Sequence, residues 1–99
     1  MKQKIPYSEA IIIAEKYKKI LTPYCSRIRI AGSIRRQCKM IGDLEIVCIP
    51  QDLQGFSAEV NKLQKVKGEP TGKYTQRILP EEIKLDLFMA NEKNWGLIF

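Results

Sequence analysis

The chain of 99 residues contains no histidine, and that absence removes more chemistry than any other feature of its composition. Without imidazole there is no Ser-His-Asp triad and no Cys-His pair, and the common histidine-containing zinc sites are set aside. Cysteine is scarce and odd in number: Cys25, Cys38 and Cys48 stand without metal-ligand or redox spacing, so neither a zinc knuckle nor a dithiol motif is on offer. Long apolar runs are missing too. The N-terminal run "AIIIA" is bounded by Glu9 and Glu15, too short and too charged at its flanks for a signal peptide or a membrane span. These absences together give the expectation of a cytoplasmic protein with reduced thiols and no membrane partner. Repeats, low-complexity tracts and linkers are also absent.

What is present is positive charge. Seventeen Lys and Arg against eleven Asp and Glu leave a formal charge of +6, which favours phosphate-bearing partners without naming one. The basic residues are scattered through Lys16, Lys18 and Lys19, then Arg27, Arg29, Arg35 and Arg36, then Lys62, Lys65 and Lys67, so no polybasic tail accounts for the excess and a merely solvated basic surface explains it equally well. The length suits one domain, residues 1–99, because separate cores need roughly 50 to 200 residues each. Hydrophobic residues make up 44% of the chain, enough for a folded globule rather than a disordered tail.

The apolar set Ala10, Ile13, Ala14, Tyr17, Ile20 and Leu21 has helical spacing, and Ser8 is placed to cap the free amides of a first helix from Ser8 to Leu21. "RIRIA" alternates as a strand and runs into a Gly32-Ser33 turn; "LEIVCI" from Leu44 is the next strand, stopped by Pro50. Phe56, Val60, Leu63 and Val66 are spaced for a second amphipathic helix ending near Gly68. "KYTQRIL" and "IKLDLFMA" flank Pro80-Glu81-Glu82 as a hairpin, and Asn91 caps a last short helix, "EKNWGLIF". The order α-β-β-α-β-β with a final helical turn predicts an α+β architecture, a small mixed β-sheet with helices covering one face.

Chemistry concentrates in "AGSIRRQCKMIGDLEI", Ala31 to Ile46. On a strand, residues two apart share a face, so Asp43 and Glu45 project together while Leu44 and Ile46 face the core. Two neighbouring carboxylates repel unless a cation compensates, and oxygen ligands suit a hard divalent ion such as Mg2+. Asp86 interrupts the apolar run Leu85, Leu87, Phe88. If its strand lies beside the Asp43 strand, three carboxylates reach one sheet edge and could hold two ions about 4 Å apart for in-line phosphoryl transfer; alternation alone leaves open that Asp86 shares a solvent face with Lys84. At the turn, Gly32 permits close backbone approach, Ser33 offers a hydroxyl and an amide to a phosphate oxygen, and Arg35 or Arg36 can add a charge-assisted bond.

"GSIRRQCKMIGDLEI" resembles the palm motif of the family X DNA polymerases, within the wider nucleotidyltransferase superfamily. The family pattern is Gly-Ser-x-Arg-Arg, then Gly-Asp-x-Asp, then a strand with a third Asp, which "KLDLF" resembles; "NWGLIF" is similar to the helix that follows. The resemblance runs from the helix before the motif to Phe99 and implies a nucleotidyltransferase fold of the polymerase beta palm type. It implies that Gly32, Ser33 and Arg36 bind the triphosphate of an NTP or dNTP, with the Gly42 backbone near it. It implies that Asp43 and Glu45 hold two Mg2+ ions, with Mn2+ as a substitute, and that Asp86 binds the catalytic ion and helps deprotonate a 3′-hydroxyl. Arg35 is expected to pack or form an ion pair instead of touching substrate. The implied activity is transfer of a nucleoside monophosphate to a hydroxyl acceptor, DNA foremost, with release of pyrophosphate.

Two departures from that pattern stand out. Glu45 replaces the usual Asp, and its added methylene displaces the carboxylate by about 1.5 Å against Mg2+ distances of about 2.0 to 2.1 Å. The sequence also ends before a thumb and has no lyase or fingers region, which gives the expectation of an isolated palm. The alternative is a nucleotide-, metal- or nucleic-acid-binding palm module with little turnover, or part of a longer polymerase. Trp95 and Phe99 are expected to pack on the sheet, Tyr7, Tyr17 and Tyr24 to sit at the edge of the core, and Gly68 to Gly72 to form a plain turn, since it has no P-loop spacing.

Overall fold

The computed structural model describes residues 4–95. Strand β1 (Ile5–Pro6) leads directly into helix α1 (Tyr7–Leu21), followed by a 3-10 turn at Thr22–Tyr24, strand β2 (Cys25–Ala31) and a single helical turn, α2 (Gly32–Arg35). Then come β3 (Met40–Ile41), β4 (Asp43–Pro50), α3 (Leu53–Val60), β5 (Gln64–Gly68), β6 (Tyr74–Ile78) and β7 (Lys84–Met89). Ala10, Ile13, Ala14, Tyr17 and Leu21 form the buried stripe of α1, the i, i+3, i+4, i+7 pattern that drives an amphipathic helix onto a core. Ile20 lies outside that stripe and is 37% exposed.

Ser8 does not cap this helix. Pro6 occupies the N-cap position in extended conformation with no side-chain cap, because β1 pairs with β3 and the Tyr7 amide donates to the Lys39 carbonyl at 3.0 Å. A tertiary pairing thus sets the helix start one residue earlier than the local capping signal.

The main sheet has five strands in the order β2-β4-β7-β6-β5. β4 and β7 run parallel at its centre, and every other pairing is antiparallel. One face carries Leu44, Ile46 and Cys48 of β4 with Leu85 and Leu87 of β7, which pack with α1 and with Phe56 and Val60 of α3. Burying these two central strands under helices is the dominant stabilising contribution, at about 1.5 to 3 kcal/mol for each large apolar side chain. The other face of the same strands presents Glu45, Val47, Asp86 and Phe88, residues that alternate with the core set. Among the described residues no helix is long and apolar enough to cross a membrane.

The expected second helix to Gly68 is corrected: it stops at Val60, and Gln64–Gly68 is an edge strand whose Val66 is 40% exposed. The helical spacing of Leu63 and Val66 loses to the pairing of β5 with β6, which satisfies a row of β6 backbone groups. Gly68 ends the strand at φ +76, where a Cβ would lie 2.1 Å from the Tyr74 carbonyl oxygen. Arg77, 2% exposed, reaches from β6 under the end of α3 and donates to the Val60 and Leu63 carbonyls at 3.4 and 3.3 Å. Its cation therefore meets the negative end of that helix.

The β6–β7 hairpin forms as expected, closed by the Leu79 amide donating to the Ile83 carbonyl at 2.9 Å. Asn91 and Asn94 exchange side-chain-to-backbone bonds at 2.8 and 2.9 Å, so Asn91 caps the final turn as its residue type predicts. The Trp95 ring lies 4.9 Å from the Arg29 guanidinium and 5.8 Å from that of Arg27; Phe99 and the rest of the expected last helix beyond Trp95 lie outside the described residues.

Candidate functional site

The site begins where β2 ends. Gly32 has φ +65, a left-handed backbone that favours glycine, and the Glu45 carboxylate lies where a Cβ would stand. α2 follows as one turn, pinned to the core by Ile34, which is 3% exposed. That turn brings Ser33 and Arg36 to the same side, where Arg36 Nη2 donates to Ser33 Oγ at 3.4 Å. A hydroxyl and a guanidinium held together in this way are suited to share a phosphate group. Exposed Gly42 precedes β4, whose first residue is the exposed Asp43.

Register decides the rest. In the parallel β4–β7 pair Glu45 stands beside Asp86 and Asp43 beside Lys84, so Asp43, Glu45 and Asp86 share the face turned away from the helices. Lys84 shares that face by alternation, yet Asp86 is only 9% exposed and is enclosed by neighbouring strands instead of standing in solvent. Tyr74 Oη and Gln76 Nε2 both donate to Asp86 Oδ1, at 2.7 and 2.8 Å.

Electrostatics records the crowding. Burial, then the Asp86 charge, push the Glu45 carboxyl above its ordinary range; Arg36 pulls it back and Asp43 pushes it further up. Burial and the bond to Asp86 push the Tyr74 phenol up to about 12, with added contributions from the Asp86, Asp43 and Glu45 charges. Both groups therefore feel the negative charge of the same cluster. The Glu45 carboxylate itself leans on Gly32, and among the described residues no three acids, cysteines or histidines converge closely enough to form a ready ligand set. The donor chemistry nevertheless fits a hard divalent cation: all three groups offer carboxylate oxygen, and a cation would relieve the repulsion that Glu45 experiences.

Beside Glu45 lies a cleft of about 380 Å³. Gly32, Arg35, Arg36 and Glu45 line its polar side, and Ala31, Val47 and Phe88 its apolar side. Arg35 borders the cleft together with Arg36.

Sequence reasoning missed Tyr74, Gln76 and Phe88, although a signal existed. A hairpin centred on Glu81 places Gln76 opposite Asp86 and Tyr74 opposite Phe88, the register observed. The ring centroids of Tyr74 and Phe88 are 5.0 Å apart.

No family model and no curated protein matches this chain. Its fold does match solved structures of Leishmania infantum polymerase beta. With one, a ternary P/T complex, the TM-score is 0.65 at 16% identity over 98% of this chain and 52% of that one. With another, a ternary gap complex, it is 0.64 at 15% identity, over 98% of this chain and 45% of that one. The chain spans about half the length of these neighbours, and the likeness identifies its architecture: a small mixed α+β domain with a polymerase beta-like fold.

Proposed function

We propose that the chain is a metal-dependent nucleotidyltransferase domain that moves a nucleoside monophosphate from an NTP or dNTP to a hydroxyl acceptor and releases pyrophosphate. The observation that carries this reading is the register of Glu45 beside Asp86, two residues along β4 from Asp43, at the sheet end capped by the Gly32–Arg36 turn. Ser33 and Arg36 bind the triphosphate, with Gly32 and the Gly42 backbone close to it. Asp86 helps to deprotonate the attacking hydroxyl, with Glu45 beside it on β4 and Asp43 two residues along that strand. Two Mg2+ ions, or Mn2+, held by Asp43, Glu45 and Asp86 would supply neutralisation of phosphate charge and activation of the hydroxyl. Nucleic acid, DNA foremost, is the acceptor favoured by the net charge of +6 and by a fold likeness to polymerase complexes.

Incubation with labelled nucleoside triphosphates, Mg2+ or Mn2+, and a panel of DNA, RNA and protein acceptors tests the proposal. Label should pass to an acceptor with stoichiometric pyrophosphate, and Asp43→Asn should abolish it. A second reading, a palm module that binds nucleotide or nucleic acid with little turnover, is favoured by the Glu45 carboxylate leaning on Gly32 in place of joining a closed ligand set. Nucleotide binding without transfer on any acceptor, with either metal, would select it.

A further inference from the structure

We infer that Tyr74 and Gln76 are positioning residues that clamp Asp86, determining which of its two oxygens is presented to the site; the inference rests on the transferase reading above. A free aspartate side chain exchanges its two oxygens through a broad, roughly two-fold torsion. Here both donors reach the same atom, Oδ1, at 2.7 and 2.8 Å. Two accepted bonds fill the lone pairs of one carboxylate oxygen, so Oδ2 is the oxygen left for an ion or a hydroxyl proton. The clamp is built into the sheet. Gln76 stands directly opposite Asp86 in the antiparallel β6–β7 register, and Tyr74, two residues along, reaches it diagonally. Tyr74 is itself held in place, its ring packed on Phe88 at 5.0 Å with Lys67 Nζ 5.7 Å from its centroid. The ring packing belongs to the fold, while the hydroxyl is directed at Asp86, so the two contributions can be separated by one atom.

Tyr74→Phe removes that atom and keeps the ring. Binding of Mn2+ alone, followed by electron paramagnetic resonance, should weaken about threefold to tenfold, the range expected for one net hydrogen bond to a positioned group. The melting temperature in EDTA should fall by roughly 4 to 8 °C, the effect of one lost hydrogen bond in a domain of this size, and at temperatures where the variant stays folded kcat should fall with the KM for nucleotide unchanged. Gln76→Ala should act in the same direction. The double variant should lose more than the product of the two single losses, because each single variant still leaves one donor on Oδ1. Asp86→Asn serves as the reference and should lose Mn2+ binding outright. Wild-type or tighter Mn2+ binding in Tyr74→Phe and Gln76→Ala, with Asp86→Asn defective, overturns the clamp and leaves the transferase reading standing. Wild-type Mn2+ binding in Asp86→Asn overturns both.

Discussion

A single methylene separates Glu45 from the aspartate of the resembled motif, and the surroundings of this side chain make its consequence measurable. Its carboxylate rests against Gly32 and feels Asp86, Arg36 and Asp43. Catalysis rewards contacts made in the transition state, and a misplacement near 1 Å can cost on the order of a hundredfold in rate. Glu45→Asp is therefore expected to leave nucleotide affinity nearly unchanged and to raise transfer by up to that factor. Mn2+ should narrow the difference between the two proteins. Turnover that falls in Glu45→Asp would mean the site is built around the longer acid and its seat on Gly32, and single-turnover kinetics with each metal distinguishes the cases. The Gly-Asp-x-Glu spacing displayed this residue in the sequence, but its lean toward Gly32 was hidden, since it depends on how closely the end of β2 approaches β4.

Between elements, the most exposed test of the architecture is the join between α1 and the β6–β7 turn. Tyr17 Oη donates to Glu81 Oε1 at 2.8 Å, and Lys16 Nζ approaches Oε2 at 2.9 Å. Burial by itself pushes the Glu81 carboxyl up, yet the bonds from Lys16 and Tyr17 together carry it below the usual carboxylate range. Because the folded-state value is depressed, this contribution is present above the ordinary glutamate range and is lost as pH falls through the folded value. Tyr17→Phe should cost about 1 kcal/mol at neutral pH. Glu81→Gln should also destabilise there, and the difference from wild type should close under acid conditions; denaturant titrations at two pH values check both. A gap that persists in acid would show that the ionised form of Glu81 is not what joins the two elements. The periodicity of α1 and the apolar runs of β4 and β7 were legible because their apolar residues are largely the buried ones; β6 was legible only from strand propensity and its turn, since it buries Thr75 and Arg77 and leaves Tyr74 and Ile78 half-buried. β5 was not legible: its residues are all exposed, so no buried pattern marks them, and only the open edge of β6 makes a strand of them.

At the scale of the whole molecule, a chain of net charge +6 gathers three acids at one end of its sheet. Without a cation that gathering opposes folding. The folded-state pKa of Glu45 is raised, so the penalty is absent at pH below its ordinary range and appears as pH rises through the folded value. Asp43→Asn combined with Glu45→Gln spares the bonds to Asp86 and should raise the melting temperature in EDTA at neutral pH, an advantage that shrinks on acidification. Mg2+ or Mn2+ should raise the wild-type melting temperature, by about 2.7 kcal/mol of stability at a hundredfold excess over Kd, and have little effect on the double variant. A double variant that melts at or below wild type in EDTA would show that the acids are not crowded. The sequence by itself determined the α+β class and the alternation that separates core from site on β4, and it displayed Gly32, Ser33, Arg36, Asp43, Glu45 and Asp86 as candidates, because patterning and turn chemistry act over a few neighbours along the chain. Tertiary structure alone decided that Asp86 stands beside Glu45 and that Pro6 in place of Ser8 opens α1. Each of these follows from strand register between segments far apart in sequence, and register is chosen by how whole faces bury together, a quantity that no local window of residues contains.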